Sequence, residues 1–394
     1  TAVGGCSAGG GPALMSQRDP LTDEVTMRLR TAVLRHGLPG VQPDCAGIDI
    51  GAVSPATLQH VAQWAMGQRL AGVWCDLLGE LVGGTGVQGR AGLLDAAHAL
   101  HATQVRTALV CEATAARAVE AMAAAGVRAW LIKGLPVAHL DYPDPAWRST
   151  GDVDVLVQRE ALHAAVVALE AHRFRRSEPA PRPEWEARYG RAVMLRSEHG
   201  VEVDLHVAIS PGYFGAALDH AQLCAGQHTI DLGGVQCGVL DDAGRLLGSS
   251  YAAVLSRGPN ARYLRDLAQQ LLATGADWQR AAALARLGDG EPVLAAAVLE
   301  ATEAALVPPD HPMVQWAGRV VPSARARRAL HYAQQGRSAG WLADARSQVM
   351  ALGPIDSVRF VCGAAVPPRR VRVARGLTVG RQLRRGLRFA RLRR

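Results

Sequence analysis

GVRAWLIKGLPVAHLDYPDPAWRSTGDVDVLV, residues 126–157, reads as strand, tight turn, helix, loop and second strand. Residues 127–132 are a short apolar run that suits a buried strand. Lys133-Gly134 then turns the chain. The glycine lets the backbone come close to a ligand, and the helix that follows, with Pro136 in its first turn, can aim its N-terminal N–H groups at an anion. Asp144-Pro145 breaks that helix into a loop carrying Arg148, Ser149 and Thr150. Asp152–Val157 alternates and is rich in valine, the pattern of a strand.

A second acidic strand lies downstream, VEVDLHV at 201–207. With residues 191–196 it forms a predicted hairpin around the turn Ser197-Glu198-His199-Gly200. Val203, Leu205 and Val207 share one face and should meet the core. Glu202, Asp204 and His206 share the other and should line a cleft.

Side chains two apart on a strand point the same way, with Cα atoms roughly 6.5–7 Å apart. Asp152 and Asp154 so placed can share two divalent cations about 3.5–4 Å apart. Such oxygen ligands suit Mg2+, with Mn2+ as the alternative. A D-x-D alone is a weak signal, and a solvated strand end would also display it. Its position after a K-G turn and helix, opening an apolar strand, strengthens it. Three acids on adjacent strands suit metal-assisted attack of a hydroxyl on an α-phosphate, with Asp204 taking the proton. Glu202 sits nearer the strand start and is less well placed. His206 can hold acceptor or phosphate, hydrogen-bond a metal-bound carboxylate, or be a neutral structural histidine.

Lys133 is the only lysine among 43 basic residues. An arginine fork and a compact ammonium are not equivalent at a phosphate, so this position is a candidate for one where cation shape matters. The bland reading is a survivor on a surface turn.

The chain has 394 residues, enough for two or three domains and a large core. Hydrophobic residues make up 49% but aromatics only 5%, which favours alanine-rich helices over a β-sandwich. No apolar run is long enough to span a membrane, and no signal-peptide pattern opens the chain. The Gly/Ala-rich residues 1–14 read as a disordered leader, with Met15 a plausible start. Seven scattered cysteines with no C-x-x-C pair argue against a zinc site or disulfide framework and fit a reducing cytoplasm. The net charge of +8 is uneven: residues 369–394 hold eleven arginines and no acid, so the rest is mildly acidic. Such a tail reads as a solvated arm, or as a contact for nucleic acid or an anionic surface.

Helices are expected at 22–36, 55–70, 73–81 and 93–125, the first capped by Thr22 and the second by Ser54. The last ends at Gly126. Gly84, Gly86 and Gly89 match G-x-G-x-x-G, but no strand precedes them, so an interhelix loop is the better reading. His98 and His101 lack a third ligand nearby and read as ordinary helix residues. Residues 175–187 form a charged, proline-rich loop, either a lid or a linker. Beyond Ser210 the chain reads as helices, and Arg265-Asp266 on one of them as a pair that either faces the cleft or, the better reading, is solvated. The expected organisation is a leader (1–21), an N-terminal helical region (22–94), a mixed-sheet core (95–210), a C-terminal helical region (211–360) and an arginine-rich tail (361–394). The fold class is α+β.

The combination of Lys133-Gly134, Arg148, Asp152-Val153-Asp154 and Asp204-Leu205-His206 resembles the DNA polymerase β-like nucleotidyltransferase superfamily. It is closer to a bacterial group with a K-G turn, an arginine before D-x-D, and a later D-x-H strand. A similar lysine-containing turn occurs in abortive-infection-type toxin nucleotidyltransferases. The resemblance covers residues 95–271, and departs from the usual G-S or G-G turn because Leu135 follows Gly134. It implies Asp152, Asp154 and Asp204 as ligands of two Mg2+ ions. It also implies Lys133, Gly134, Arg148 and Ser149 as the triphosphate cradle; the departure at Leu135 removes the usual turn hydroxyl, for which Ser149 is a candidate substitute outside the resemblance. The implied reaction moves a nucleoside monophosphate from an NTP, ATP by default, to a hydroxyl of a small molecule, peptide or tRNA. The competing expectation is an inactive binding module of the same fold that uses its basic tail for nucleic acid or a protein partner.

Overall fold

The structure, a computed structural model, describes residues 20–43, 45, 47–83, 91–210, 212–256, 261–273, 275–339, 341–365 and 367–374. The G-x-G-x-x-G stretch, residues 1–14 and most of the arginine-rich tail lie outside them.

Four helices come first: α1 (Pro20–Arg35), α2 (Pro55–Gly67), α3 (Ala71–Gly83) and α4 (Ala91–Ala124). The first begins at Pro20, so Thr22 lies inside its first turn rather than capping it. Ser54 caps α2 as expected, its Oγ accepting from Thr57 N at 3.1 Å with Pro55 at the first helical position. Gly126, at φ 71°, ends α4.

The sheet has seven strands: β1 (Ala129–Ile132), β2 (Asp152–Val157), β3 (Arg175–Arg176), β4 (Ala192–Arg196), β5 (Glu202–His206), β6 (Gln227–Leu232) and β7 (Val235–Leu240). Their order is β3-β4-β5-β2-β1-β7-β6. β2 runs parallel to β5 and antiparallel to β1; β7 runs parallel to β1. The expected mixed sheet with flanking helices is therefore present. The hairpin β6–β7 was not legible as part of it, because residues beyond 210 read as helical. Its signal is Gly233-Gly234, both at positive φ (64° and 91°), between two alternating runs.

Helix α5 (Gly134–Asp141) joins β1 to β2, α6 (Leu162–Ala171) follows β2, and α7 (Pro183–Tyr189) lies in the proline-rich segment. Two short helices, α8 (Gly212–Ala216) and α9 (His220–Leu223), precede β6. After β7 come α10 (Asp242–Leu255), α11 (Ala261–Leu272), α12 (Trp278–Leu287), α13 (Glu291–Glu303), α14 (Pro312–Ala317), α15 (Ala324–Ala339), α16 (Trp341–Met350), α17 (Pro354–Ala365) and α18 (Arg369–Ala374). No helix among the described residues is long and apolar enough to cross a membrane.

Strand alternation sorts the sheet into two faces. Leu131, Val153, Val155, Val203 and Leu205 pack against α4 and α6. Trp130, Ile132, Leu156 and Leu240 belong to the core shared with α10–α13. On that second face, the acidic ends of β2 and β5 carry polar side chains instead. The functional residues gather there.

Candidate active site

The parallel pairing of β2 with β5 sets Asp152 opposite Glu202, Asp154 opposite Asp204 and Leu156 opposite His206. Ile132 pairs with Asp154 from the other side, so the chain leaves β1 directly beside that carboxylate. Lys133 follows at φ 60° and ψ −121°, a conformation that costs a side-chain-bearing residue about 1–3 kcal/mol. The turn directs its ammonium back over the sheet. Lys133 Nζ lies 2.5 Å from Asp154 Oδ1 and 3.2 Å from His206 Nε2. His206 Nε2 lies 2.7 Å from the same Asp154 oxygen.

Burial alone would raise the pKa of Asp154. The Lys133 charge and the His206 contact outweigh it and lower the carboxyl from 3.8 to about 2. Burial likewise works against the Lys133 charge, and Asp154 holds its pKa above the ordinary value. Asp204 differs: burial raises its pKa, with Asp154 adding to the effect, while His206 and Lys133 oppose it. Its Oδ1 is buried with no hydrogen-bond partner.

Ligand atoms of Asp154, Asp204 and His206 all lie within 4.8 Å of one another. Two carboxylates, one with an orphaned buried oxygen, plus one imidazole make a donor set that fits a divalent cation. Asp152 is exposed at the strand start and stands outside this group. Glu202 also stays out and pairs with Arg196.

Arg148 and Ser149 are placed differently from the expected phosphate cradle. The Arg148 guanidinium is buried against Asp266 of α11, Nε to Oδ1 at 2.9 Å and Nη2 to Oδ2 at 3.0 Å. Its Nη1 donates to the Ser149 carbonyl at 2.7 Å. All three nitrogens are committed, so this arginine ties the loop before β2 to α11 instead of facing the cleft. Ser149 is only 2% exposed and cannot present its hydroxyl to a phosphate as placed. Gly134 is needed for packing: a Cβ there would meet Thr150 Oγ1 at 2.8 Å, and that hydroxyl donates to the Asp152 carbonyl.

Sequence reasoning missed the partners of this scaffold. Asp266 also accepts from Tyr142 Oη at 2.8 Å. Asp141 takes Arg245 Nη2 at 2.8 Å and Gln270 Nε2 at 2.9 Å. Arg265 and Asp266 are buried rather than solvated. Charged residues on a helix read as solvated, and only tertiary packing could reveal otherwise.

A second cluster, His36 with Asp76 and Glu80, lies at α3. Its Nε2 meets Asp76 at 2.8 Å and its Nδ1 meets Glu80 at 3.8 Å. The two nitrogens face different carboxylates instead of converging with them on one point. His101 Nε2 donates to the Ala146 carbonyl at 3.1 Å.

Among curated proteins none matches this chain. A solved structure of an antigenic nucleotidyltransferase-like protein from Paracoccidioides brasiliensis is 16% identical, over 48% of this chain and 92% of that one, with a TM-score of 0.29. The family described as an uncharacterised nucleotidyltransferase matches residues 54–299, more than half of the chain, and includes every strand of the sheet. The chain belongs to that nucleotidyltransferase family.

Proposed function

We propose that the protein is a metal-dependent nucleotidyltransferase that moves an NMP from an NTP to a hydroxyl acceptor. The observation that carries this reading is the convergence of Asp154, Asp204 and His206 with the single lysine, Lys133, on one patch of the sheet. Asp154 and Asp204 would hold Mg2+ or Mn2+, with His206 as third donor or as the hydrogen-bond partner that orients Asp154, and Asp152 reachable by a second ion. The bound ion would polarise the α-phosphate and stabilise charge on the leaving oxygen.

The residues do the rest. Lys133 sits at the turn into α5, whose N-terminal N–H groups favour phosphate. It is placed to trade Asp154 for the triphosphate when a cation neutralises that acid. Asp204, its pKa raised by burial, accepts the hydroxyl proton. The acceptor oxygen bonds to the α-phosphorus, the bond from that phosphorus to the bridging oxygen breaks, and pyrophosphate leaves.

The test is Mg2+-dependent transfer from each of the four α-labelled NTPs into cell extract, with Asp154→Asn as control. Label lost in the variant supports the enzyme. Absence of both transfer and Mg2+-NTP binding in the wild type favours the inactive binding module.

A further inference from the structure

A cavity of about 640 Å³ opens beside Asp204 and His206. Its floor is β4, where Met194 stands opposite Asp204 in register. One wall is the proline-rich segment with α7, presenting Trp185 and Tyr189. The roof is α17, Pro367, Pro368 and α18, presenting Phe360, Pro368 and Val371.

The roof is fastened in three places. Trp185 stacks on Phe360 at 5.7 Å and 17°. Asp356 accepts from Tyr189 Oη at 2.8 Å and from Arg188 Nη2 at 2.9 Å. Arg370 donates to the Ala180 carbonyl at 3.0 Å and the Pro181 carbonyl at 3.2 Å. All of α17 and α18 lie beyond residue 299, where the family match ends.

From this arrangement we infer that the cavity is the acceptor site, and that it takes a hydroxyl-bearing small molecule with a largely apolar body. The inference rests on the transfer reaction proposed above. The strand order β1-β2-β5-β4 sets the Lys133 turn on one side of the carboxylate strands and the β4 floor of the cavity on the other, with the Lys133 ammonium reaching across to His206 at 3.2 Å. In-line displacement needs leaving group and nucleophile on opposite sides of the phosphorus. With pyrophosphate at the lysine end, the hydroxyl enters from the cavity and gives its proton to Asp204, the carboxylate that lines it. The volume suits a drug-sized molecule, and most of the lining is apolar. A polynucleotide would need an open basic track with bases stacking along it. Here a roof covers part of the space, and of the three arginines in its lining, Arg176, Arg182 and Arg191, the first is spent on Glu186 through two contacts of 2.9 and 2.8 Å.

The experiment fills the cavity. Ala364→Trp from the roof and Met194→Trp from the floor are compared with wild type and with Ile355→Trp, a position 69% exposed on α17. Melting temperatures establish that each variant folds, and titration with Mg2+ and the four NTPs reads nucleotide binding. Transfer is read from α-labelled NTPs into the dialysable and retained fractions of a cell extract. The expected result is label in a dialysable product separated by chromatography from NTP, NDP and NMP, lowered at least about tenfold by either cavity-filling variant and unchanged by Ile355→Trp, with NTP binding retained throughout. Label in retained RNA or protein, no label in the dialysable fraction, or dialysable label indifferent to both cavity variants overturns the inference. Failure of the wild type to bind any NTP brings down the reaction on which it rests, a separate readout.

Discussion

Lys133 Nζ lies 2.5 Å from Asp154 Oδ1, so the one lysine of the chain neutralises the most buried carboxylate of the site. In the proposed reaction a cation that takes Asp154 Oδ1 would displace this ammonium and free it for phosphate. Lysine and metal would then compete for one oxygen before cooperating on the substrate.

Lys133→Met is expected to lower transfer by about 10²–10³-fold, as for loss of one preorganised charge contact. Binding of Mn2+ without nucleotide should become tighter, because the competing charge is gone. Labelled transfer and Mn2+ titration of the same variant check the two halves. Weaker metal binding would remove the competition.

Asp204 has an orphaned buried oxygen. Adding Mg2+ or Mn2+ at neutral pH should raise the melting temperature of the wild type, and EDTA should reverse it. Asp204→Asn should abolish that shift and cut transfer by about 10³-fold, the scale of losing several kcal/mol of charge stabilisation. Asp152→Asn, at an exposed position outside the cluster, should cost less on both measures.

The Arg148–Asp266 pair predicts a stability effect in place of a nucleotide effect. Arg148→Met leaves Asp266 buried without its cation and should cost about 3–5 kcal/mol in urea unfolding. Adding Asp266→Leu should recover more than half of it. The KM for NTP in the double variant should stay within about threefold of wild type, because no nitrogen of Arg148 faces the cleft. A selective rise in KM would restore Arg148 to the phosphate cradle.

Asp154 sets an acid dependence. Its carboxyl titrates at about 2 in the folded chain against an ordinary 3.8. A depressed carboxyl contributes stability that is fully present above the unfolded value and is lost as pH falls through the folded one. The stability gap between wild type and Lys133→Met should thus be constant above about pH 5 and close between pH 4 and 2. Urea unfolding at steps across that range measures it. A gap independent of pH would mean that Lys133 does not hold the carboxylate.

The sheet and the polar patch were legible because both rest on alternation. Asp154, Asp204 and His206 had to share a face with the apolar set turned away, and they do. Lys133 stood out by being unique. The roles expected of Arg148 and Ser149 came from resemblance alone; Arg148 is tied to Asp266 of α11, and Ser149 is buried with its N–H on the Arg69 carbonyl. No local pattern separates a solvated Arg265-Asp266 from a buried one, since the difference lies in what packs around the helix. The β6–β7 hairpin was missed although Gly233-Gly234 marked it, because the surrounding chain reads as helix. The cavity could not be foreseen at all: residues 176–194 meet residues 356–371 only in the folded chain.

The uniqueness of Lys133 has a practical side. A chain with one lysine carries a single side-chain amine, and that amine sits at the centre of the proposed chemistry. Reductive methylation with isotopically labelled formaldehyde would place one reporter signal there, distinct from that of the terminal amine. Its chemical shift would follow the ammonium from carboxylate to phosphate as cation and nucleotide are added. The protein thus offers a spectroscopic handle at its own site with no mutation required.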